Sequence, residues 1–424
     1  MNGWVSSLLQ SRFVRSVGTY GLASAANGLL GFALLPVLTR YLTPDDFGLI
    51  AMFLLLGAIL RPLVGLCLDA AILRRVVDTP EAELGRMVGV ALLFNLAGLV
   101  AVGGVVLVGV GQIAAWTLVP PFWIRLAVVY AALESVLTIP LAVLRMRMRA
   151  RAFAGVQLVR GAGAFGLSLW LVVGLELDWQ GRLYALLAAV LLASGVGVLL
   201  LWRGGLLRPD ASPARLRPLL SYGAPLVPHV LGGVAIAVTD RLFLAHMVGL
   251  DEVGIYSVAM QLGLVIALLE DSFNKGWTPS LFRRLQGEDR ALIVIHIYAY
   301  CLFLLLFALG LALVAPFLVE LLFGRDFTRV GAFMFWVSLG LAFGGIYKMP
   351  ASLLFYAEKT HLIATVSVIS AVVNVVANYV LIKANGGLGA AQATCVAYLV
   401  SLVLAWLLSL RAVRMPWSLD WRGS

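Results

Sequence analysis

The chain has 424 residues, of which 62% are hydrophobic and only 12% charged, and its mean hydropathy is +1.00. Soluble proteins carry about 25% charged residues, and a soluble fold of this size has no means of hiding so much apolar surface. The formal charge of +10 raises the question of a nucleic-acid partner. The basic residues, however, are scattered over many short segments between apolar runs, which excludes that class and points to a polytopic membrane protein.

In chain order, the N-terminus MNGWVSSLLQSRFVRS lacks a compact apolar core with a cleavage site. It reads as a short amphipathic lead-in on the cytoplasmic side. Twelve apolar runs follow, near 16–38, 47–73, 87–110, 123–143, 153–175, 183–202, 221–248, 253–277, 291–315, 329–353, 362–382 and 388–410. Each is about 20 residues or more, enough for a helix to cross a bilayer. The fold class expected is all-α and integral to the membrane. With both termini cytoplasmic, the inner segments hold twenty Lys and Arg. The outer ones hold five: Arg40, Arg182, Arg325, Arg329 and Lys383. That asymmetry fixes the expected orientation in a bacterial cytoplasmic membrane and brings the basic residues to anionic lipid.

The longest polar interruption is RGGLLRPDASPARLRPLL at 203–220. It divides the chain into a first lobe at 1–202, a basic linker at 203–219, a second lobe at 220–410 and a tail at 411–424. Each lobe has six spans and the same turn after its first helix. TRYLTPDDFGLIAMF (39–53) in one is echoed by LAHMVGLDEVGIYSVAM (244–260) in the other. Thr43 is placed to cap a helix, Pro44 suits its first position, and Asp45 and Asp46 sit at its positive end. Gly249 ends a helix, and Asp251 and Glu252 open the next. Two lobes of six spans share one orientation, so they are expected to be related by a pseudo-two-fold axis along the membrane normal.

Catalytic motifs are scarce. His229, His246, His296 and His361 show no metal spacing. GAGAFG at 161–166 fits a dinucleotide pattern, but no strand precedes it, and small residues inside a span serve helix packing. Neither a metal nor a cofactor is expected, and the outer loops are short for an enzyme of sugar chemistry. The three cysteines lie in apolar runs and read as packed thiols.

Charges at membrane depth are costly and face the protein interior or a wet cavity. Arg61 sits mid-span between Gly57 and Gly65 at helical spacing. Lys348 lies near Gly344 and Ser352, Arg160 follows Gln157, and Arg241 follows Asp240. Arg61, Arg160, Lys348 and Arg241 are the candidate cationic lining. Glu134, Asp240, Glu270 and Asp271 are candidate ion-coupling carboxylates, or else the counter-charges of buried cations. Two helix faces are polar: Tyr20, Ser24, Asn27 and Gly31 in the first span, and Ser367, Ser370, Asn374 and Asn378 in the eleventh. Each face suits either interhelical hydrogen bonding or a wet, sugar-facing wall. Trp116, Trp123, Trp170 and Trp179 fall at outer edges and read as an aromatic belt.

LLPVLTRYLTPDDFGLIAMF (34–53), VGIYSVAMQL (253–262), WTPSLFRRL (277–285) and NYVLIKANGGLGAAQATCVAY (378–398) resemble the corresponding stretches of Wzx-type polysaccharide flippases. These belong to the multidrug, oligosaccharidyl-lipid and polysaccharide exporter superfamily. The resemblance implies a MATE-like, V-shaped pair of six-helix lobes around a cationic cavity. It implies transfer of an undecaprenyl-pyrophosphate-linked oligosaccharide from the inner to the outer leaflet, for O-antigen, capsule or exopolysaccharide synthesis. A polymerase complex and a coupling proton or sodium ion are plausible partners. The peptidoglycan-precursor flippases differ in having fourteen spans and an Arg-Asp pair in the first helix, which is uncharged here. The alternative within the superfamily is a MATE-like, ion-coupled antiporter of organic cations.

Overall fold

The computed structural model describes residues 28–76, 79–285, 290–413 and 415–417. Every regular element among them is helical. α1 (Gly28–Leu38) is the described part of the first expected span. It is followed by α2 (Pro44–Gly65), α3 (Leu68–Arg75), α4 (Glu81–Val108), α5 (Val110–Thr117), α6 (Pro121–Met146), α7 (Ala150–Ser168) and α8 (Asp178–Arg203). Then come α9 (Pro213–Gly223), α10 (Val227–Met247), α11 (Leu250–Leu285), α12 (Arg290–Leu322), α13 (Val330–Tyr356), α14 (Thr360–Asn385) and α15 (Gly387–Ala412).

Ten of the described helices are long and apolar enough to cross a membrane. The bent pair Pro213–Val234 and Val238–Met247 makes an eleventh. With α1, each of the twelve expected runs coincides with a helix. Their sides facing lipid stay apolar: Val105, Val108, Leu313 and Phe317 are all more than half exposed. In a bilayer such a surface is in its proper solvent, and all-helical backbone leaves few orphan polar groups.

The chain clusters into two compact units, 1–42 with 49–238, and 43–48 with 239–424. In the first, α7 packs on α8, and α6 packs on both α8 and α4. In the second, α15 packs on α13 and α14, and α13 also meets α12 and α11. Residues 203–220, expected as a linker, are docked within the first unit. The Arg208 amide donates to Gly85 O at 2.9 Å. Arg215 pairs with Glu83 and Asp210, each at 2.7 Å.

The turn at Thr43 is a reciprocal cap. The Thr43 amide donates to Asp46 Oδ2 at 2.8 Å, and the Asp46 amide donates to Thr43 Oγ1 at 3.3 Å. Its echo uses glycine instead. Gly249 has φ +152°, and its amide closes on Leu244 O at 3.0 Å. Within the second unit the two turns meet reciprocally. A Cβ on Gly48 would lie 2.1 Å from Leu250 O, and one on Gly254 would lie 1.9 Å from Pro44 O. Pro44 and Leu250 open their helices, and Gly48 and Gly254 lie four residues on.

One expected span is interrupted. The run at 47–73 breaks at Leu66 and Cys67, both with positive φ, so α2 and α3 are separate helices. Pro62 withholds an amide from the last turn of α2. Gly223 packs where its Cβ would lie 2.4 Å from Leu66 O. The break thus presents backbone carbonyls to a residue with no side chain.

Candidate functional site

Arg61 lies on the α2 face that meets α6. Gly57, one turn before it, faces the Tyr130 ring, and Gly65, one turn after, faces Ser135 Oγ. Between them the Arg61 side chain lines a cavity of about 180 Å³ together with Asp69, Ser135, Thr138 and His229. Arg61 has no carboxylate within ion-pair distance among the described residues. His229 was not expected at any site. It lies in the first turn of α10, before the bend between Val234 and Val238.

Arg160 and Glu134 form an ion pair in the first unit, with Nη2 to Oε1 at 2.5 Å. Glu134 also accepts from Tyr130 Oη at 3.1 Å. The residues are one turn apart on α6, so the spacing Tyr130–Glu134 placed both on one face as the sequence suggested. Lys348 and Glu270 form the equivalent pair in the second unit, Nζ to Oε1 at 2.9 Å. Glu270 Oε2 is buried without a donor. Two of the four candidate carboxylates are therefore counter-charges of two candidate cations. Asp271, the neighbour of Glu270, is exposed.

Asp240 is different. It is buried, and its partners are neutral. Oδ1 accepts from Asn378 Nδ2 at 2.6 Å. Oδ2 accepts from Tyr256 Oη and Thr394 Oγ1, both at 2.7 Å. Asn378 Nδ2 also approaches Asn374 Oδ1 at 3.1 Å, and Asn378 Oδ1 is buried with no donor. Arg241 turns to Ser257, with Nε to Oγ at 3.2 Å. The result is a buried carboxylate on α10 that accepts from hydroxyls on α11 and α15 and from an amide nitrogen on α14.

The polar face of α14 thus turns inward, Ser370 Oγ accepting from Ser401 at 2.6 Å. Ser367 alone of that face is exposed and bonds its own helix at Ile363 O. Of the first-span face, Gly31 is described, whereas Tyr20, Ser24 and Asn27 lie outside the described residues. The tryptophans divide. Trp116 and Trp170 are exposed, as belt residues are. Trp123 is 3% exposed and is instead a packing hub, with Trp179 at 5.1 Å, Tyr184 at 4.9 Å and Phe53 at 6.3 Å. An indole that large is better satisfied among rings than at the interface once three aromatics surround it. GAGAFG lies within α7, where Gly163 faces Ala189 of α8, so the small residues serve helix contact. The cysteines are free thiols, and no cluster of metal-ligating side chains occurs among the described residues.

Comparison with known proteins places these features in a class. A solved inward-facing multidrug resistance MATE family transporter of the MOP superfamily superposes with a TM-score of 0.69. It is 15% identical and covers 91% of this chain and 94% of its own. The lipid II flippase MurJ in an inward closed conformation superposes with a TM-score of 0.74. It is 13% identical and covers 92% of this chain and 87% of its own. The fold is MATE-like, and its apolar helices are those of a multi-pass membrane protein. A family model described as polysaccharide biosynthesis protein matches residues 37–332, and the chain belongs to that family. A second model, lipid II flippase MurJ, matches residues 272–423. That match lies outside the first span, where the sequence departs from the peptidoglycan-precursor branch. A Haemophilus influenzae protein of the Lsg locus is 24% identical over 380 residues, covering 84% of this chain and 88% of its own.

Proposed function

We propose that the protein carries undecaprenyl-pyrophosphate-linked oligosaccharide from the inner to the outer leaflet of the bacterial cytoplasmic membrane. The observation that carries this reading is Arg61. It is a guanidinium inside the helical bundle, lining a cavity, with no carboxylate partner among the described residues. A cation held there without an ion pair, with Asp69 the carboxylate that shares its cavity, favours an anionic ligand, and a pyrophosphate is the anion that a lipid-linked sugar brings. Arg160 and Lys348 are the further cations, each held by a carboxylate that an incoming phosphate displaces. The superfamily-level likeness to a lipid II flippase supports the choice of a lipid-linked substrate.

Energy for a directed cycle enters at Asp240. Its buried carboxylate offers a site to a proton, or to a hard cation that takes over its two oxygens from the donors Asn378 Nδ2, Tyr256 Oη and Thr394 Oγ1. Proton or sodium binding at Asp240 and substrate binding at the cations are then opposite halves of an alternating-access exchange. The transporter consumes no covalent chemistry and needs no cofactor. A polymerase that uses the delivered unit is a natural neighbour.

The test uses proteoliposomes holding a fluorescent undecaprenyl-pyrophosphate oligosaccharide and an external sugar-modifying enzyme. Protein-dependent exposure of the inner pool is expected, accelerated by a proton or sodium gradient and abolished by Arg61→Ala. Gradient-driven efflux of an organic cation, without lipid exposure, would instead favour the antiporter reading, to which the Asp240 cluster alone lends weight.

A further inference from the structure

Arg182 stands apart from the groups used above. The sequence placed it in an outer loop, but α8 begins at Asp178 and takes Arg182 into its second turn. Its Nη1 donates to Ser168 Oγ at 2.6 Å and reaches Ala164 O at 3.4 Å. Both acceptors are neutral, and Ser168 Oγ is itself committed to Ala164 O at 2.5 Å. No carboxylate lies within ion-pair distance of Arg182 among the described residues. These contacts use Nη1 and leave the Nη2 and Nε sides of the fork.

The side chain lines a chamber of about 330 Å³ in the first unit, with Gly31, Gln157, Arg160, Gly161 and Ala164. Arg160 adds no net charge, since Glu134 neutralises it. Gln157 carries a buried Oε1 to which no group among the described residues donates. The described walls therefore hold one positive charge in excess and one acceptor in want of a donor. Left so, both cost stability. The volume is at the lower end for ligand pockets, about 300 Å³, and the two glycines keep one wall free of side chains.

We propose that this chamber is a subsite for a carboxylate-bearing sugar of the transported glycan. The carboxylate takes the open side of the Arg182 fork, for which a planar two-oxygen anion has matching geometry. A sugar hydroxyl donates to Gln157 Oε1. One carboxylate cancels the one uncompensated charge, and a neutral sugar leaves it standing. The transport role of the subsite rests on the flippase reading above, whereas the binding chemistry does not.

Full-length protein in zwitterionic nanodiscs is titrated with methyl glucuronide, methyl glucoside and dimethyl phosphate, followed by saturation-transfer NMR. Methyl glucuronide is expected to bind at least about tenfold more tightly than methyl glucoside, and dimethyl phosphate, which Arg61 also draws, is expected to bind independently of Arg182. Arg182→Gln should bring it to the level of the glucoside, Arg182→Lys should retain part of the difference, and Gln157→Leu should weaken it. Arg125→Gln removes an exposed charge elsewhere and should change nothing. Equal binding of glucuronide and glucoside would overturn the proposal. So would unchanged binding in the Arg182 variants, or a loss of dimethyl phosphate binding in Arg182→Gln as large as that of glucuronide. If Arg182→Gln fails to fold, Arg182→Lys and Gln157→Leu decide between these outcomes. The assay needs neither flipping nor a gradient, so a negative result leaves the flippase reading intact. Failure of lipid exposure, in turn, leaves sugar binding in the chamber to be measured on its own.

Discussion

Arg160 and Lys348 have the same chemistry in the two units: a buried cation, a carboxylate from a neighbouring helix, and partial burial of both. The pair Arg160–Glu134 costs desolvation and returns it through one short contact. Removing one member leaves the other charge stranded. Arg160→Met is therefore expected to destabilise by about 3 kcal/mol, and the double change Arg160→Met with Glu134→Leu to recover most of that. Thermal unfolding in detergent measures both. If the single and double variants unfold alike, the pair is not a closed charge balance. Transport separates role from stability. The double variant should fold well yet flip poorly, because an apolar pair has nothing to give a phosphate. Asp240→Asn makes the complementary point. It keeps the shape and hydrogen-bond reach of the carboxylate, so lipid exposure should persist at a reduced rate while its acceleration by an ion gradient disappears. An undiminished gradient response in Asp240→Asn would remove the cluster from the coupling mechanism.

At the scale of elements, the repeated turn shows what sequence pattern carries and what it omits. Thr43, Pro44 and the acidic pair announced a helix start, and the reciprocal bonds between Thr43 and Asp46 are that start. Thr43→Ala should cost about 1 kcal/mol through loss of the cap. The glycines carry the larger cost. Gly48→Ala and Gly254→Ala each drive a methyl group into a backbone carbonyl, which side-chain repacking does not relieve. Each is expected to lower the yield of folded protein severalfold and by similar amounts, as the reciprocal contact requires. Fluorescence-detected size exclusion compares them directly. A mild effect in one and not the other would mean that the two turns are not equivalent. Both turns were legible because caps and breakers act locally. The approach of Gly48 to Leu250 was not, since it joins residues about two hundred positions apart. The break at Leu66–Cys67 was missed for the opposite reason. The run 47–73 is apolar throughout, and hydropathy is blind to a helix that stops and restarts inside the membrane. Trp123 was placed in the right helix but packs inward, and Arg182 was placed one turn outside its helix, because hydropathy resolves neither the facing of a ring nor a span edge.

For the molecule as a whole, the apolar runs are helical over their described residues, one of them broken at Leu66–Cys67, because a bilayer leaves the backbone no other way to satisfy its polar groups. Hydropathy therefore reads the spans, and the distribution of Lys and Arg makes their direction an expectation to be tested. It was blind to which cation meets which carboxylate, since Lys348 and Glu270 are 78 residues apart. Orientation itself makes the last prediction. Twenty basic residues on one side against five on the other oppose translocation of the richer segments. A fluorescent protein fused after Arg411 should mature and fluoresce, and alkaline phosphatase fused there should be inactive. Alkaline phosphatase fused at Gly249, between α10 and α11, should be active. The first half is tested separately by phosphatase fusions in the outer segments near Arg40 and Glu176 and in the inner segment near Arg147. The first two should be active and the third silent. Activity in all three would mean that some helices do not cross. A silent fusion at Gly249, with an active one near Arg40, would invert the second half relative to the first. It would replace an axis along the membrane normal with one in its plane. The same-orientation repeat predicts the same side for Arg40 and Gly249 because each follows the first span of its half.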